Sequence, residues 1–214
     1  MNLIIFGPQG SGKGTQADKL SERYGLAHIE TGQIFRDIAR EDSELGRMIK
    51  DLNDRKEMIP DAVTMRVLKE NVDKVLASWG IILDSAPRTL GQIKPVEEML
   101  VSLDRKLDKA IYITLPYEVS VERITKRYMC PLCRRHFVLG KDIKSADDPC
   151  PTCGGPIRQR MDDTPEGVAK RLKTFYEVTI PVVEHYRQRG MLVEVEGNQP
   201  VEKVFADIVA KLQS

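Results

Sequence analysis

The chain has few of the features that mark secreted, membrane or nucleic-acid-binding proteins. Its 214 residues include one tryptophan and four cysteines. No apolar run approaches the ~20 residues of a membrane-spanning helix. Basic and acidic residues nearly balance, at 33 and 32, so no net field favours nucleic acid or a membrane surface. The first residues predict a strand rather than a signal peptide. We therefore expect a soluble, cytoplasmic protein that binds neither nucleic acid nor membranes.

The remaining composition is that of an ordinary globular protein, with 41% hydrophobic and 30% charged residues. A chain of 214 residues suits one α/β domain with insertions and buries a substantial core. All four cysteines lie between positions 130 and 153, which indicates one local site rather than a disulfide framework. We expect a monomer.

A glycine-rich stretch near the start carries the strongest functional signal. Residues 3–6 predict a short buried strand, residues 7–15 a loop, and the apolar spacing after them a helix. In that context backbone N–H groups converge on phosphate oxygens, and Lys13 would reach the outer phosphates. The alternative is a glycine-rich turn without a ligand, but the flanking strand and helix favour a phosphate-binding loop.

This loop lacks the serine or threonine that usually follows its lysine. Gly14 stands there, and Thr15 comes one position later. Since that hydroxyl normally holds Mg²⁺ directly, the metal would depend more on phosphate oxygens, water and carboxylates.

Apolar runs at intervals along the chain predict a five-stranded parallel sheet. They occupy residues 3–6, 26–30, 81–84, 110–115 and 192–195. Helical patterns separate them, which is typical of a three-layer α/β fold with helices on both faces of the sheet. Ligands of such sheets bind beyond the carboxyl ends of the strands. The phosphate loop, the turn after Asp84 and the turn after Val195 should therefore surround one crevice.

Two segments interrupt this alternation. Residues 31–59 predict a charged helical segment with thin apolar faces, which we interpret as a small flap. Residues 128–160 are rich in cysteine, proline, glycine and charge, and predict a β-rich insertion. The expected domains are a P-loop core of residues 1–29, 60–125 and 161–214, a flap of residues 30–59 and a lid of residues 126–160.

The insertion carries two C-x₂-C pairs separated by 16 residues. This spacing is typical of a tetrahedral site with four thiolate ligands, here Cys130, Cys133, Cys150 and Cys153. Such a closed site is structural and would staple a segment that has little core of its own. Zinc is the default metal, but iron or cobalt also suits four thiolates. Two disulfides or free thiols are the alternative.

Arginines fall where strands, flap and lid would meet the crevice. They are Arg36, Arg88, Arg123, Arg127, Arg160 and Arg171. Phosphoryl transfer needs charge neutralisation on several phosphates more than it needs a nucleophile from the protein. An isolated arginine in a chain with 33 basic residues is most often a solvated surface charge, so the interpretation depends on the surrounding motifs.

Those motifs resemble the adenylate kinases, a group of the nucleoside monophosphate kinases. The resemblance is to the adenylate kinases that have a long, metal-bearing lid. With the loop G-x-x-G-x-G-K-G-T, the motifs are Thr31-Gly32 with Arg36, Asp84-x-x-Pro87-Arg88-Thr89 with Gln92, Arg123 with Arg127, the cysteine insertion, Arg160-Met161-Asp162-Asp163, and Arg171-Leu172 with Tyr176. They recur in order over nearly the whole chain. The resemblance implies a reversible, Mg²⁺-dependent phosphoryl transfer from ATP to AMP, which gives two ADP.

The resemblance also implies a role for each matching residue. An implied ATP site comprises Gly10, Ser11, Gly12, Lys13, Gly14, Thr15, Arg127, His136, Phe137 and Gln199. An implied AMP site comprises Thr31, Arg36, Glu57, Met58, Ile59, Ser85, Ala86, Pro87, Arg88, Gln92, Arg160 and Arg171. The implied catalytic set comprises Lys13, Arg88, Arg123, Arg160 and Arg171 on the transferring phosphate, Asp84 on the waters of Mg²⁺, and Asp162 and Asp163 in a lid-side network.

Three departures from the family pattern concern acceptor-base packing and metal affinity rather than reaction class. Ser85-Ala86 stands where the family usually has Gly-Phe, and Gln33 where an acidic residue is common. The lid also lacks the usual Asn-Pro-Pro. His28 is expected to be a packed or rim histidine, because nothing nearby in the sequence suggests a proton-transfer partner.

Three alternative functions carry weaker signals. A pyrimidine monophosphate kinase would generally have a short lid and other residues at Thr31 and Gln92. A GTPase-like switch would need an Asn-Lys-x-Asp run, which the chain lacks. A nucleic-acid-binding module built on the cysteine pairs would need a basic, aromatic face. Residues 134–137 hint at such a face, but nearby aspartates dilute it.

Overall fold

The computed structural model describes residues 1–55, 57–160 and 163–213. Their strands are β1 (Asn2–Phe6), β2 (Leu26–Glu30), β3 (Gly80–Asp84), β4 (Lys109–Thr114), β5 (Arg127–Met129), β6 (His136–Val138) and β7 (Leu192–Glu196). Their helices are α1 (Lys13–Tyr24), α2 (Thr31–Ile38), α3 (Glu44–Asp54), α4 (Asp61–Val72), α5 (Leu90–Ser102), α6 (Tyr117–Thr125), α7 (Pro165–Thr174), α8 (Ile180–Gln188) and α9 (Val201–Leu212). A π-helical segment, Phe175–Thr179, joins α7 to α8.

Five strands form one parallel sheet in the order β2-β3-β1-β4-β7. Alternate residues of the central strand β1 pack on opposite faces. Leu3 and Ile5 join residues of α1 and α9 in one buried cluster, whereas Ile4 and Phe6 join residues of α4, α5 and α8 in another. The predicted three-layer fold and its five strands are therefore confirmed, with some strand ends shifted by one residue.

The flap differs from the single helical segment predicted for residues 31–59. Helix α2 ends at Ile38 and α3 begins at Glu44. The Ser43 side chain accepts a hydrogen bond from the backbone N–H of Gly46 at 2.9 Å, and so caps the second helix. Residues 57–59 lie outside the helices. Local capping thus divides a stretch whose apolar spacing alone looks continuous.

The lid is a small β-rich insertion, as the sequence predicts. Strands β5 and β6 pair antiparallel, with Arg127 opposite Val138 and Met129 opposite His136. Five buried residues form its apolar cluster: Cys130, Phe137, Ile143, Cys150 and Ile157.

Among the described residues, no helix combines the length and apolar character needed to cross a bilayer.

Candidate active site and metal centre

The carboxyl ends of β1, β2 and β3 bring the predicted site residues together. Asp84, the last residue of β3, pairs in register with Ile5 on one side and Glu30 on the other. The hydroxyl of Thr31, at the start of α2, donates a hydrogen bond to the carbonyl oxygen of Asp84 at 3.1 Å. Asp84 therefore lies between the phosphate loop and the flap.

The loop between β1 and α1 has the backbone that its glycines permit. Gly10 and Gly12 have φ angles of 82° and 84°, in the left-handed region that favours glycine. The loop leads directly into the N-terminus of α1, where backbone N–H groups lack partners within the helix. The Ser11 hydroxyl is buried without a hydrogen-bond partner among the described residues. These features suit an anionic ligand.

Lys13 and Asp84 face each other beside this loop. Burial lowers the pKa of Lys13 below its usual value, while the negative charge of Asp84 opposes the shift and Arg88 and Arg127 add to it. A Cβ at Gly14 would lie 3.8 Å from Asp84 Oδ2. The first turn of α1 therefore borders the Asp84 carboxylate directly.

The Asp84 carboxylate is almost fully buried and is held on both sides. Its Oδ1 accepts a hydrogen bond from the Ser85 hydroxyl at 2.8 Å, and its Oδ2 lies 3.5 Å from His28 Nε2. Burial alone would raise the pKa of Asp84, but Lys13, His28 and Ser85 outweigh it and keep the pKa below its usual value. Asp84 is therefore ionised at neutral pH.

His28 is packed, as expected, but it has two carboxylates around it that the neighbouring sequence did not suggest. Its Nδ1 lies 2.8 Å from Asp18 Oδ1, while its Nε2 faces Asp84. Burial opposes protonation, yet the hydrogen bonds and negative charges of Asp18 and Asp84 raise the pKa of His28 to about 9. Both partners are distant in sequence, which is why no local pattern revealed them.

Two of the predicted arginines share one buried carboxylate. Asp163 Oδ2 accepts from Arg127 Nε at 2.9 Å, and its Oδ1 accepts from Arg127 Nη2 and Arg171 Nη2, both at 2.8 Å. The Asp163 side chain is fully buried. This carboxylate thus joins the base of the lid to α7. Asp162, predicted for the same network, lies outside the described residues.

Arg123 and Arg160 approach the crevice from α6 and from the end of the lid. Arg123 Nη1 donates to the carbonyl oxygens of Gly10 and Gly197, both at 3.2 Å. Arg160 Nη2 lies 2.8 Å from His136 Nε2. Burial, followed by the positive charges of Arg160, Arg127, Arg36 and Lys13, lowers the pKa of His136.

On the flap side, Arg36 and Arg88 border Gly32, where an added Cβ would lie 3.2 Å from Arg36 Nη1 and 3.7 Å from Arg88 Nη2. Arg36 Nη2 donates to Glu30 Oε1 at 2.7 Å and to Gln33 Oε1 at 2.9 Å. Glu30 was not predicted, although its place at the end of a parallel strand is a signal that could have identified it.

Gln92, predicted to read the acceptor base, is fixed through both ends of its amide. Its Oε1 accepts from the backbone N–H of Arg88 at 2.7 Å, and its Nε2 donates to Asp61 Oδ1 at 2.7 Å. Asp61 begins α4 and also accepts from the Thr89 hydroxyl at 3.0 Å. The sequence contained no signal for this contact, because the two helices meet only through tertiary packing.

Some residues implied by the resemblance lie apart from these contacts. The side chains of Ala86 and Pro87 are buried, and Ala86 belongs to the core cluster beneath the turn. Phe137 packs inside the lid cluster. Glu57, Met58 and Thr15 are exposed, and Ile59 is half-buried against the flap cluster. Gln199 donates to the carbonyl oxygen of Glu196 and to Asp207. Their predicted nucleotide contacts stay predictions.

The lid and the flap also touch through one ion pair that was not predicted. Arg134 Nη1 lies 3.2 Å from Asp37 Oδ2, and Asp37 Oδ1 accepts a hydrogen bond from Gln33 Nε2 at 2.9 Å. Gln33 thus links Arg36 to Asp37 on the flap face that the lid contacts.

The four lid cysteines form a group of the size that one metal ion needs. Their Sγ atoms all lie within 4.8 Å of one another, and the Cys130–Cys153 and Cys133–Cys150 pairs are 3.5 Å apart. A tetrahedral ion with metal–sulfur bonds of about 2.3 Å holds its sulfurs roughly 3.8 Å apart. The donor set therefore fits a closed four-thiolate site, and the cysteines are not joined by disulfides.

Comparisons with known proteins agree over nearly the whole chain. The family model described as adenylate kinase matches residues 5–191. The adenylate kinase of Archaeoglobus fulgidus is 39% identical over 213 residues, which cover 100% of this chain and 98% of that protein. Those of Syntrophomonas wolfei and Geobacillus sp. are 38% and 40% identical, and the matches cover 100% and 97% of this chain and 100% and 96% of those proteins. By its sequence and the architecture around its phosphate loop, this chain belongs to the adenylate kinase family.

Proposed function

We propose that this protein catalyses the reversible transfer of the γ-phosphoryl group of ATP to AMP, which gives two ADP. The observation that carries the proposal is the convergence of Lys13, Asp84 and the arginines at the carboxyl edge of the parallel sheet. That edge is where such folds bind nucleotides. Full-length similarity to adenylate kinases supports the same reaction.

The chemistry asks for positioning and charge neutralisation. An AMP phosphate oxygen would attack the γ-phosphorus of ATP, the bond from that phosphorus to the β,γ-bridging oxygen would break, and ADP would leave. The attacking oxygen is already anionic, so no general base is needed. Five cations would neutralise the phosphate during transfer: Lys13, Arg88, Arg123, Arg160 and Arg171.

Mg²⁺, when bound with ATP, supplies further neutralisation of the phosphates. Asp84 suits a role in orienting its waters, because the carboxylate is ionised, buried and held by Ser85 and His28. Gly14 offers no hydroxyl to the metal, so this carboxylate would carry more of the task. Gln33 adds no charge because its side chain is a neutral amide, and that amide binds Arg36 and Asp37.

The two nucleotides would occupy opposite sides of Asp84. The loop from Gly10 to Thr15, with Arg127, Phe137 and Gln199, would form the ATP side. The AMP side would be formed by Thr31, Arg36, residues 57–59, residues 85–88 and Gln92, with Arg160 and Arg171. The contact of Gln92 with Asp61 supports this division, because it fixes an amide for base readout.

We also propose the division into a core of residues 1–29, 60–125 and 161–214, a flap of residues 30–59 and a lid of residues 126–160. The separate apolar cluster of the lid supports it, whereas the flap cluster is shared with Val67 of α4. Their closure would exclude water, which would otherwise accept the phosphoryl group. The Arg134–Asp37 ion pair joins the two mobile parts directly. The protein would act as a monomer on ATP, AMP and ADP.

We propose zinc as the metal of the lid site. Four thiolates in a closed tetrahedral arrangement suit zinc as a structural ion. Elemental analysis of protein purified without added metal would identify it, and a stoichiometric content of iron or cobalt would contradict the assignment.

A panel of nucleoside monophosphates as phosphate acceptors, with ATP as donor, tests the function. We expect AMP to be phosphorylated much faster than CMP, UMP or GMP. The Lys13→Met variant is the control, because it keeps the loop and removes its cation. A preference for CMP or UMP would instead identify a pyrimidine monophosphate kinase, and ATP hydrolysis without transfer would contradict a kinase.

A further inference from the structure

The lid ribbon holds the guanidinium of Arg160. Met129 of β5 and His136 of β6 are directly opposite each other. Arg160 follows the segment that bridges back to Met129 through Arg158. Its Nη2 lies 2.8 Å from His136 Nε2 and 3.7 Å from Met129 Sδ. Met129 and His136, which face each other across the two lid strands, therefore hold an arginine that we assign to the phosphate site.

The contact defines the protonation state of the imidazole. A guanidinium only donates hydrogen bonds, so His136 must accept through an unprotonated Nε2. The pKa of His136 is lowered to about 3. Burial by the surrounding protein is the main cause, and the positive charges of Arg160, Arg127, Arg36 and Lys13 add to it. Part of the residue is still exposed. The ring is thus neutral near pH 7, with its proton on Nδ1.

We propose that His136 is a positioning residue for Arg160, and that its bare Nε2 fixes the guanidinium in the orientation from which it meets the transferring phosphate. This inference rests on the proposed phosphoryl transfer. It differs from the role that the family resemblance implies for His136, which is to flank the base and ribose of ATP.

A neutral acceptor suits this task. The carboxylate of Asp163 orients Arg127 and Arg171 but also offsets their positive charge. An imidazole nitrogen orients a guanidinium without contributing a negative charge. It also restricts a long side chain that would otherwise lose rotamer entropy when phosphate binds. Because both Arg160 and His136 travel with the lid, closure would deliver an already oriented cation.

Two substitutions of His136 separate its role as a hydrogen-bond acceptor for Arg160 from any role of its aromatic ring. His136→Gln keeps an acceptor and loses the aromatic ring, whereas His136→Phe keeps a flat ring and loses the acceptor. We expect His136→Phe to lower kcat about tenfold, with little change in KM for ATP, because a hydrogen bond to a charged group is lost. His136→Gln should stay within about twofold of the wild type, since the acceptor is kept.

The matched control is His185→Phe. His185 Nε2, on α8, lies 3.1 Å from Nη1 of Arg189, the residue after that helix, so the control removes an Arg–His contact of the same kind outside the crevice. It should leave kcat unchanged. In an Arg160→Ala background, His136→Phe should cause no further loss, because its effect passes through Arg160.

Wild-type kcat for His136→Phe, a full additional loss in the Arg160→Ala background, or a raised KM for ATP in His136→Gln alone would each overturn the proposal. Imidazole ¹⁵N NMR of the wild-type protein at pH 7 decides it without any variant. A bare Nε2 with a protonated Nδ1 supports it, and a protonated Nε2 excludes the contact. This spectrum does not depend on turnover. It therefore distinguishes an error in the proposed reaction from an error in the proposed contact between Arg160 and His136.

Discussion

The core and the lid are held together by different means. In the core, every strand of the parallel sheet contributes apolar side chains to two buried clusters that involve helices from both ends of the chain. In the lid, the cluster contains five buried residues, two of which are cysteines of the metal site. Stability in the core is therefore spread over many contacts, whereas in the lid a metal ion bound by the four sulfurs would supply much of it. A region held in this way can loosen or move while the sheet stays intact.

The largest effect should follow from a cavity in the core. Leu100 of α5 is 1% exposed and packs in the cluster that also contains Ile4 and Tyr186. Leu100→Ala should lower the free energy of unfolding by about 2–5 kcal/mol, as truncations of buried leucine do. The neighbour Val101 is 71% exposed, so Val101→Ala is the matched control. Equal losses in the two variants, by denaturant unfolding, would contradict the assigned packing.

Removal of the lid metal should act locally. We expect Cys150→Ser, or chelation of the wild-type protein, to raise amide hydrogen exchange across residues 126–160 and to leave the sheet strands protected, because the lid has little apolar core of its own. Activity should fall, since lid closure is impaired. Ser145→Ala, a substitution at an exposed lid position, is the control. Metal loss with unchanged exchange in the lid would show that the four thiolates do not staple it.

The histidines of the two regions should respond to pH in opposite directions. The pKa of His28 is raised from its ordinary value of 6.5 to about 9, so its stabilising contribution is complete below 6.5 and is lost as pH rises through about 9. The pKa of His136 is lowered to about 3, so the unfolded chain binds a proton that the folded lid does not, and stability falls as pH drops below 6.5.

NMR titration of the chain's three histidines would measure both shifts. His28→Gln should remove part of the alkaline loss of stability, and His136→Gln part of the acidic loss. An alkaline loss that is identical in His28→Gln and in the wild type would show that the paired carboxylates do not stabilise the imidazolium.

The smallest effect should come from the turns of the two cysteine pairs. Arg134 follows one pair with φ 61°, and Gly154 follows the other with φ 71°. Gly154→Ala should destabilise the lid by about 1 kcal/mol, and Arg134→Gly should relieve a similar strain. Arg134→Gly also removes the exposed ion pair with Asp37, worth 0 to about 1 kcal/mol. Asp37→Asn removes the same pair, together with the ion pair between Asp37 and Arg40. Lid stability, read by metal retention in a chelator series, should therefore rise or stay level in Arg134→Gly and fall in Gly154→Ala.

The sequence by itself determined the features that depend on local patterns. Apolar runs identified the strands. The inner strands β1, β3 and β4 are apolar at nearly every position because both of their faces are covered, whereas the edge strands β2 and β7 also carry polar residues. Glycines before Lys13 identified the loop, since its backbone requires left-handed φ angles at Gly10 and Gly12. The spacing of the cysteines predicted that their four sulfurs would meet, as they do, since two tight turns can present four sulfurs to one ion.

Only the tertiary structure decided which polar groups meet. His28 faces Asp84 because β2 and β3 pair in one particular register, and Gln92 meets Asp61 because α4 and α5 pack together. Ala86 lies within the core cluster, a burial that its place in a site motif did not reveal. Arg160 meets His136 only after the lid chain has turned back on itself. A hydrogen bond acts over about 3 Å, so its partners follow from the register and packing of elements that are far apart in the chain.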